Sequence, residues 1–231
     1  VGFAANRVGV PANEDLLLDA DLALTEAKAK GKGRALQFDP TLRTNLQRRQ
    51  IIEAGIGDAI ESGQIEPYYQ LQVDLATGRT IGFEALARWK HAELGWISPA
   101  EFIPIAESCG DVVGLGKSIL KMACRHASLL PTEMSVSVNL SVVQLHRTQL
   151  VGEIADILEE SGIEPSRLTL EVTESIMISD TEKVLSSLNE LKQLGVAIAL
   201  DDFGTGYSAL SYLTKFEWNE LKIDRSFTES A

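Results

Sequence analysis

Cysteine is scarce in this chain: Cys109 and Cys124 are the only two among 231 residues. They are too few for a disulfide framework and lack metal-ligand spacing, so a reducing compartment, the cytoplasm, is the expectation. Basic residues are in the minority, 21 Lys and Arg against 33 Asp and Glu, for a net charge of −12. That balance argues against a binder of nucleic-acid polymers or anionic membranes, whose surfaces are basic. It leaves room for a small anionic ligand, provided a cation or a local Arg meets it. No apolar run approaches the ~18 residues that span a bilayer, and no signal peptide is present. The three histidines, His91, His126 and His146, sit in polar contexts and receive no function. The first residue is Val1 rather than Met, which reads as a piece of a longer protein, with an upstream anchor or sensor left open.

What is there is a 45% hydrophobic chain, long enough for one large core or one large domain plus a fragment. Asn13 is a candidate N-cap for an amphipathic helix over Glu14–Lys30, closed by Gly31, with a short strand at Leu36–Phe38. So little chain buries little core, so residues 1–40 read as the tail of a domain. Residues 41–64, with Leu46, Ile52, Ile56 and Ile60 at helical spacing, read as a linker helix. From Ile65 strands and helices alternate. The strand candidates are Pro67–Val73, Thr80–Trp89, Ser135–Leu140, Leu168–Thr173, Val196–Leu200 and Glu220–Asp224. Ser98-Pro99-Ala100-Glu101 has the pattern of a capping box, and helices are expected over Asp111–Leu130, Gln149–Ser161 and Asp180–Leu194. Repeated βα units imply a parallel sheet, either a (β/α) barrel or a doubly wound one.

Side chains alternate along a strand, so parity groups the chemistry. Glu84 shares a face with Arg88, Asn139 with Ser137, Glu171 with Thr169, and Lys222 with Asp224. Asp201 and Asp202 follow the buried run Val196–Leu200, and Gly204 and Gly206 follow them. Each residue alone has a plainer reading as an ion pair, a strand-end hydrogen bond or a solvated turn. Their coincidence at the ends of successive strands is what favours a site. Every candidate ligand is oxygen, which suits Mg²⁺ or Mn²⁺ over Zn²⁺. So many acids point to two ions about 3.5–4 Å apart, a pair suited to a phosphodiester.

The motifs YYQLQVDLATG, IGFEALARWKH, GWISPAEFIPIAE, SVSVNLSVVQL, LTLEVTES, ALDDFGTGYSALSYL and ELKIDRSF together resemble the EAL domain family. The resemblance implies an α/β fold, a (β/α)8 TIM-like barrel whose first strand is antiparallel, over residues 65–231. It implies hydrolysis of cyclic di-GMP to linear pGpG, with a non-catalytic cyclic di-GMP receptor as the alternative. Carried over by position, Glu84, Asn139, Glu171, Asp201 and Asp202 would hold the metals, and Glu84, Asp201 and Lys222 would be catalytic. Gln70, Leu86 and Arg88 would contact substrate, and Glu174 would hold the DDFGTG loop. Lys222, near two dications, would have a lowered pKa and serve as base or positioning group. Two departures stand out. Leu71 replaces the usual Pro, and Ala231 follows the sixth of eight family strands, so further βα units are expected beyond it. The stretch ADLALTEAKAKGKGR resembles the end of a GGDEF (diguanylate cyclase) domain, with Thr25 where Tyr is usual. Homodimerisation coupled to the loop, with Gly204 to Ser208 as hinge, is also implied.

Overall fold

The computed structural model describes residues 1–5, 15–29, 31, 33–174, 181–204, 213 and 216–228. Asn13, Glu14, Asp180, Gly206 and the expected hinge beyond Gly204 lie outside them. The chain divides into two units, Val1–Gly55 and Ile56–Ala231.

In the first unit β1 (Gly2–Phe3) pairs in parallel with β2 (Leu36–Gln37), and α1 (Asp15–Ala29) packs on both. Gly2 is required there, because a Cβ would run into the backbone of Ala20 and Leu24. Ala23 and Ala27 give α1 its buried face, and Arg43 Nε bonds Asp19 Oδ1 at 2.7 Å. The helix α2 (Pro40–Glu61) follows, with Ile52 and then Ile56 and Ala59 buried.

The second unit is built on a seven-stranded sheet. β3 (Ile65–Val73) runs antiparallel to β4 (Thr80–His91), and β5 (Gly95–Ile97), a strand the sequence did not signal, adds an antiparallel rung on the end of β4. From β4 the order continues in parallel through β6 (Ser135–Asn139), β7 (Leu168–Thr173), β8 (Ala197–Phe203) and β9 (Glu220–Ile223). This is the expected TIM-like α/β architecture with its first strand reversed. The helices α3 (Pro99–Cys109), α4 (Val112–Ala127), α5 (Val142–Leu145), α6 (Leu150–Ser161) and α7 (Thr181–Gln193) fall between the strands. One sheet face, with Val136, Val138, Leu168, Leu170, Ile198 and Leu200, is buried, as are Ile119, Ala123, Ile154, Leu188 and Leu191 on the helices. Trp89 is fully buried edge-on to Phe102, with ring centroids 5.7 Å apart. No helix of the described residues is long and apolar enough to cross a membrane.

Two local expectations are corrected. Ser98 occupies the N-cap of α3 with Pro99 at the first helical position, but its side chain makes no cap bond. Its carbonyl takes the N–H groups of Glu101 and Phe102, at 2.9 and 3.1 Å, so the third-residue N–H that a capping box would give the hydroxyl goes to the backbone instead. And β8 does not stop at Leu200. It runs through both aspartates to Phe203, because Asp202 adopts φ 55°, a left-handed conformation Asp tolerates, and the register to β9 shifts there.

Arg167, buried at the entrance to β7, is a polar staple. Its guanidinium donates to the carbonyl of Ala127, the last residue of α4, and to those of Leu130, Pro131 and Met134 in the loop that follows. On the opposite sheet face Gly82 makes room for its neighbours: a Cβ there would lie 2.8 Å from the Ser135 carbonyl. Arg167→Ala is expected to cost about 3 kcal/mol by removing these charge-assisted hydrogen bonds, and Gly82→Ala about 2 kcal/mol by overpacking. Urea denaturation curves check both, and an unchanged midpoint for Arg167→Ala would refute its staple role.

Candidate active site

Register and parity together decide which side chains meet. Gln70 lies opposite Glu84 across β3–β4, Glu84 is level with Ser137, Asn139 with Glu171, and Thr173 with Asp201. Paired residues on neighbouring strands point to the same side, so Glu84, Asn139, Glu171 and Asp201 share the face away from the helices. Glu220 is level with Ala199, which puts Lys222 on that face too.

Side-chain reach closes the stagger between rungs. Asn139 Nδ2 donates to Glu84 Oε1 at 3.1 Å. Lys222 Nζ donates to Glu171 Oε2 at 2.5 Å, Glu84 Oε2 at 3.0 Å and Asp201 Oδ2 at 3.4 Å. Oxygens of Glu84, Glu171 and Asp201 all lie within 4.8 Å of one another. Glu171 is fully buried, and burial pushes its carboxyl up to about 7; the Lys222 hydrogen bond and charge pull it back, while Glu84 and Asp201 push it further up. Burial pulls the Lys222 ammonium down, but its hydrogen bonds and charge pairing with Glu171 and Glu84 prevail and hold it above the ordinary lysine value. The acids are the charges Lys222 meets in this arrangement.

Asp202 is exposed and stands outside the three-acid group; its backbone N–H donates to Asp201 Oδ1 at 2.9 Å. Desolvation and then the charges of Asp201 and Asp224 raise its pKa. Glu174, just past β7, accepts from the backbone N–H of Gly204 at 3.2 Å, tying the end of β7 to the turn after β8. Gln70 is exposed opposite Glu84. Leu86 and Arg88 line a cavity of about 390 Å³ together with Asn139, Thr173 and Glu107. Arg88 also borders an open cleft of about 690 Å³ with Tyr68 and Trp96.

The oxygen Glu171 Oε1 is buried without a hydrogen-bond partner among the described residues. An unspent carboxylate lone pair amid an all-oxygen donor set fits a hard divalent cation such as Mg²⁺ or Mn²⁺.

Five residues that the sequence pattern did not single out also border the site: Ser141, Gln144, Tyr68, Trp96 and Glu107. Ser141 and Gln144 form the capping box of α5, two residues past Asn139, and Gly116 leaves the space that the Gln144 side chain fills. The S-x-x-Q spacing of SVVQ was the available signal. Tyr68 and Trp96 stand edge to face at 5.7 Å, and period-two parity in β3 already put Tyr68 on the Gln70 face. Glu107 had no signal beyond lying on an amphipathic helix.

The EAL domain profile matches residues 53–231. The protein y4lL of Sinorhizobium fredii is 43% identical over 227 residues, which is 98% of this chain and 27% of that protein. The bifunctional diguanylate cyclase/cyclic di-GMP phosphodiesterase MucR of Pseudomonas aeruginosa is 38% identical over 231 residues, 98% of this chain and 34% of that protein. The chain thus spans about a third or less of the length of these curated relatives. The solved PaMucR phosphodiesterase in complex with c-di-GMP superposes with a TM-score of 0.74 at 40% identity, covering 78% of this chain and 74% of that one.

Glu171→Gln keeps the shape of the side chain and removes one charge from the cluster. Mn²⁺ affinity, measured by calorimetry or electron paramagnetic resonance, is expected to fall tenfold or more, by roughly the loss typical of a damaged metal site. Equal affinity in variant and wild type would exclude Glu171 as a ligand.

Proposed function

The chain belongs to the EAL domain family, and from that premise we propose that it is a metal-dependent phosphodiesterase opening one ester bond of cyclic di-GMP to give linear pGpG. The observation that carries this reading is the convergence of Glu84, Glu171 and Asp201 within 4.8 Å, with Asn139 and Lys222 bonded into the same cluster. The similarity to a cyclic di-GMP phosphodiesterase over nearly the whole chain supports the choice of substrate.

Glu84, Asn139, Glu171 and Asp201, with Asp202 beside them, would hold a pair of Mg²⁺ or Mn²⁺ ions supplying Lewis-acid activation of water and neutralisation of the phosphodiester. Lys222 Nζ is a charged donor in this arrangement, placed to orient the attacking water and to meet charge developing on phosphate oxygens. Service as a base requires that its carboxylate partners be engaged elsewhere, since an ammonium has no lone pair to accept a proton. Arg88 offers a planar guanidinium to a phosphate oxygen, with Leu86 beside it and Gln70 further along the same face, opposite Glu84. Glu174, by holding Gly204, fixes the backbone just after Asp201 and Asp202. We further read residues 1–40 as the tail of an upstream GGDEF domain, joined by the 41–64 helix to a cytoplasmic, homodimeric phosphodiesterase. The match to a bifunctional relative across 98% of the chain supports the first part.

A second reading, a receptor that binds cyclic di-GMP without cleaving it, is favoured by one observation. The Lys222 ammonium sits among the acids where a cation would bind, and Asp202 stands apart from them. Incubation with cyclic di-GMP and Mg²⁺ or Mn²⁺, followed by chromatography, separates the two. Linear pGpG is the expected product, with Glu84→Ala lowering kcat by about a thousandfold or more. Binding without product would favour the receptor, and Glu84→Ala turning over like wild type would refute the proposed mechanism.

A further inference from the structure

Arg88 and Pro99 are shared by two cavities, one with an acid on its lining and one faced by aromatic rings. The first, about 390 Å³, is walled by apolar side chains such as Leu86, Ile103 and Leu115, and Glu107 is the carboxylate on its lining. It also touches Asn139, which bonds Glu84, so it opens beside the acidic cluster. The second, about 690 Å³, is an open cleft faced by Tyr68 and Trp96. Both rings are roughly half exposed, and both belong to the sheet face of Glu84 and Arg88, since Tyr68 pairs with Leu86 and Trp96 with Lys90.

We infer that these are two unlike base sites for one cyclic dinucleotide: the Glu107 cavity reads guanine, and the Tyr68–Trp96 cleft accepts the second base by stacking, whatever its identity. The inference rests on the proposed function, and it concerns which bases the site admits. Guanine presents two adjacent donors, N1–H and the N2 amino group, which a carboxylate accepts together. Adenine offers one donor beside the N1 lone pair, which faces a carboxylate with repulsion. A site built around such a pair rejects the analogue that cannot make it. No carboxylate lines the cleft among the described residues; its polar side chains besides Tyr68 and Trp96 are Arg88 and Ser98, and stacking on an aromatic face tolerates every base. Arg88, between the two, is placed for the phosphates that join the nucleosides.

Such a site takes a mixed guanine–adenine cyclic dinucleotide as well as cyclic di-GMP, and excludes cyclic di-AMP. The test is steady-state hydrolysis of all three by wild type, Glu107→Gln and Trp96→Ala, with calorimetric binding of each in Ca²⁺ alongside. Wild type is expected to use the first two within about tenfold of each other and to disfavour cyclic di-AMP by about a hundredfold or more. Glu107→Gln is expected to narrow that gap at least tenfold, and Trp96→Ala to raise KM about tenfold for every nucleotide without changing the gap. An unchanged gap in Glu107→Gln, or rejection of the mixed nucleotide by wild type, would overturn the assignment. If nothing is hydrolysed, the Ca²⁺ binding series decides the base sites alone: the same ranking upholds them while refuting hydrolysis, and equal or absent binding of all three refutes them.

Discussion

Bringing like charges together is the constraint that the second unit is organised to satisfy. Two unit charges ~5 Å apart repel by about 3 kcal/mol at an effective dielectric of ~20. Glu84, Glu171 and Asp201 therefore cannot share their space without a compensating cation. Lys222 fills that role from a fourth strand, and its three hydrogen bonds link the acids of β4, β7 and β8 across the sheet. Glu171 and Lys222 are both raised, for different reasons: burial makes the Glu171 carboxylate costly, and the acids around Lys222 stabilise its ammonium. A metal entering this cluster competes with Lys222 for the same oxygens.

The rest of the unit holds that cluster in register. Small or polar side chains line the site face below the acids, where Ser137 takes a bond from Gln72 at 3.1 Å and Thr169 is buried. The other face carries the aliphatic core. At the strand ends, α5 is capped by Ser141 and Gln144 just past Asn139, and Glu174 holds Gly204 just past Asp201. Arg167 ties the loop after α4 to the start of β7, so the strand that carries Glu171 is anchored at its entrance as well. The strands β6, β7 and β8 thus each have a polar latch near them, and packing supplies the remainder.

Much of this was legible in the chain. Leu168–Thr173 has the bounds expected of it, and parity put Glu84, Asn139, Glu171 and Lys222 each on the non-aliphatic face of its own strand, the face on which the structure brings them together, because a period of two is a strong constraint on a strand. What escaped depended on neighbours far away in sequence. Three-residue β5 is too short for a pattern and exists because β4 offers an open edge. The continuation of β8 through Asp201 and Asp202 depends on one left-handed residue, which no hydrophobicity pattern records. Ser98 fits a capping box in sequence, yet its backbone carbonyl does the work, whereas Gln144 caps α5 from a stretch read only as a strand end. The roles of Arg167 and Glu107 emerge only when helices pack against the sheet.

The alternation of β7 has a further consequence for how such a chain can change over evolutionary time. Leu168, Leu170 and Val172 face the core while Thr169, Glu171 and Thr173 face the site, so a single inserted or deleted residue would exchange the two sets. A carboxylate would then enter an aliphatic layer and a leucine would enter the acid cluster. Point substitutions at the rims of the two cavities can retune recognition one step at a time. The length of β7 upstream of Glu171 has no such gradual path.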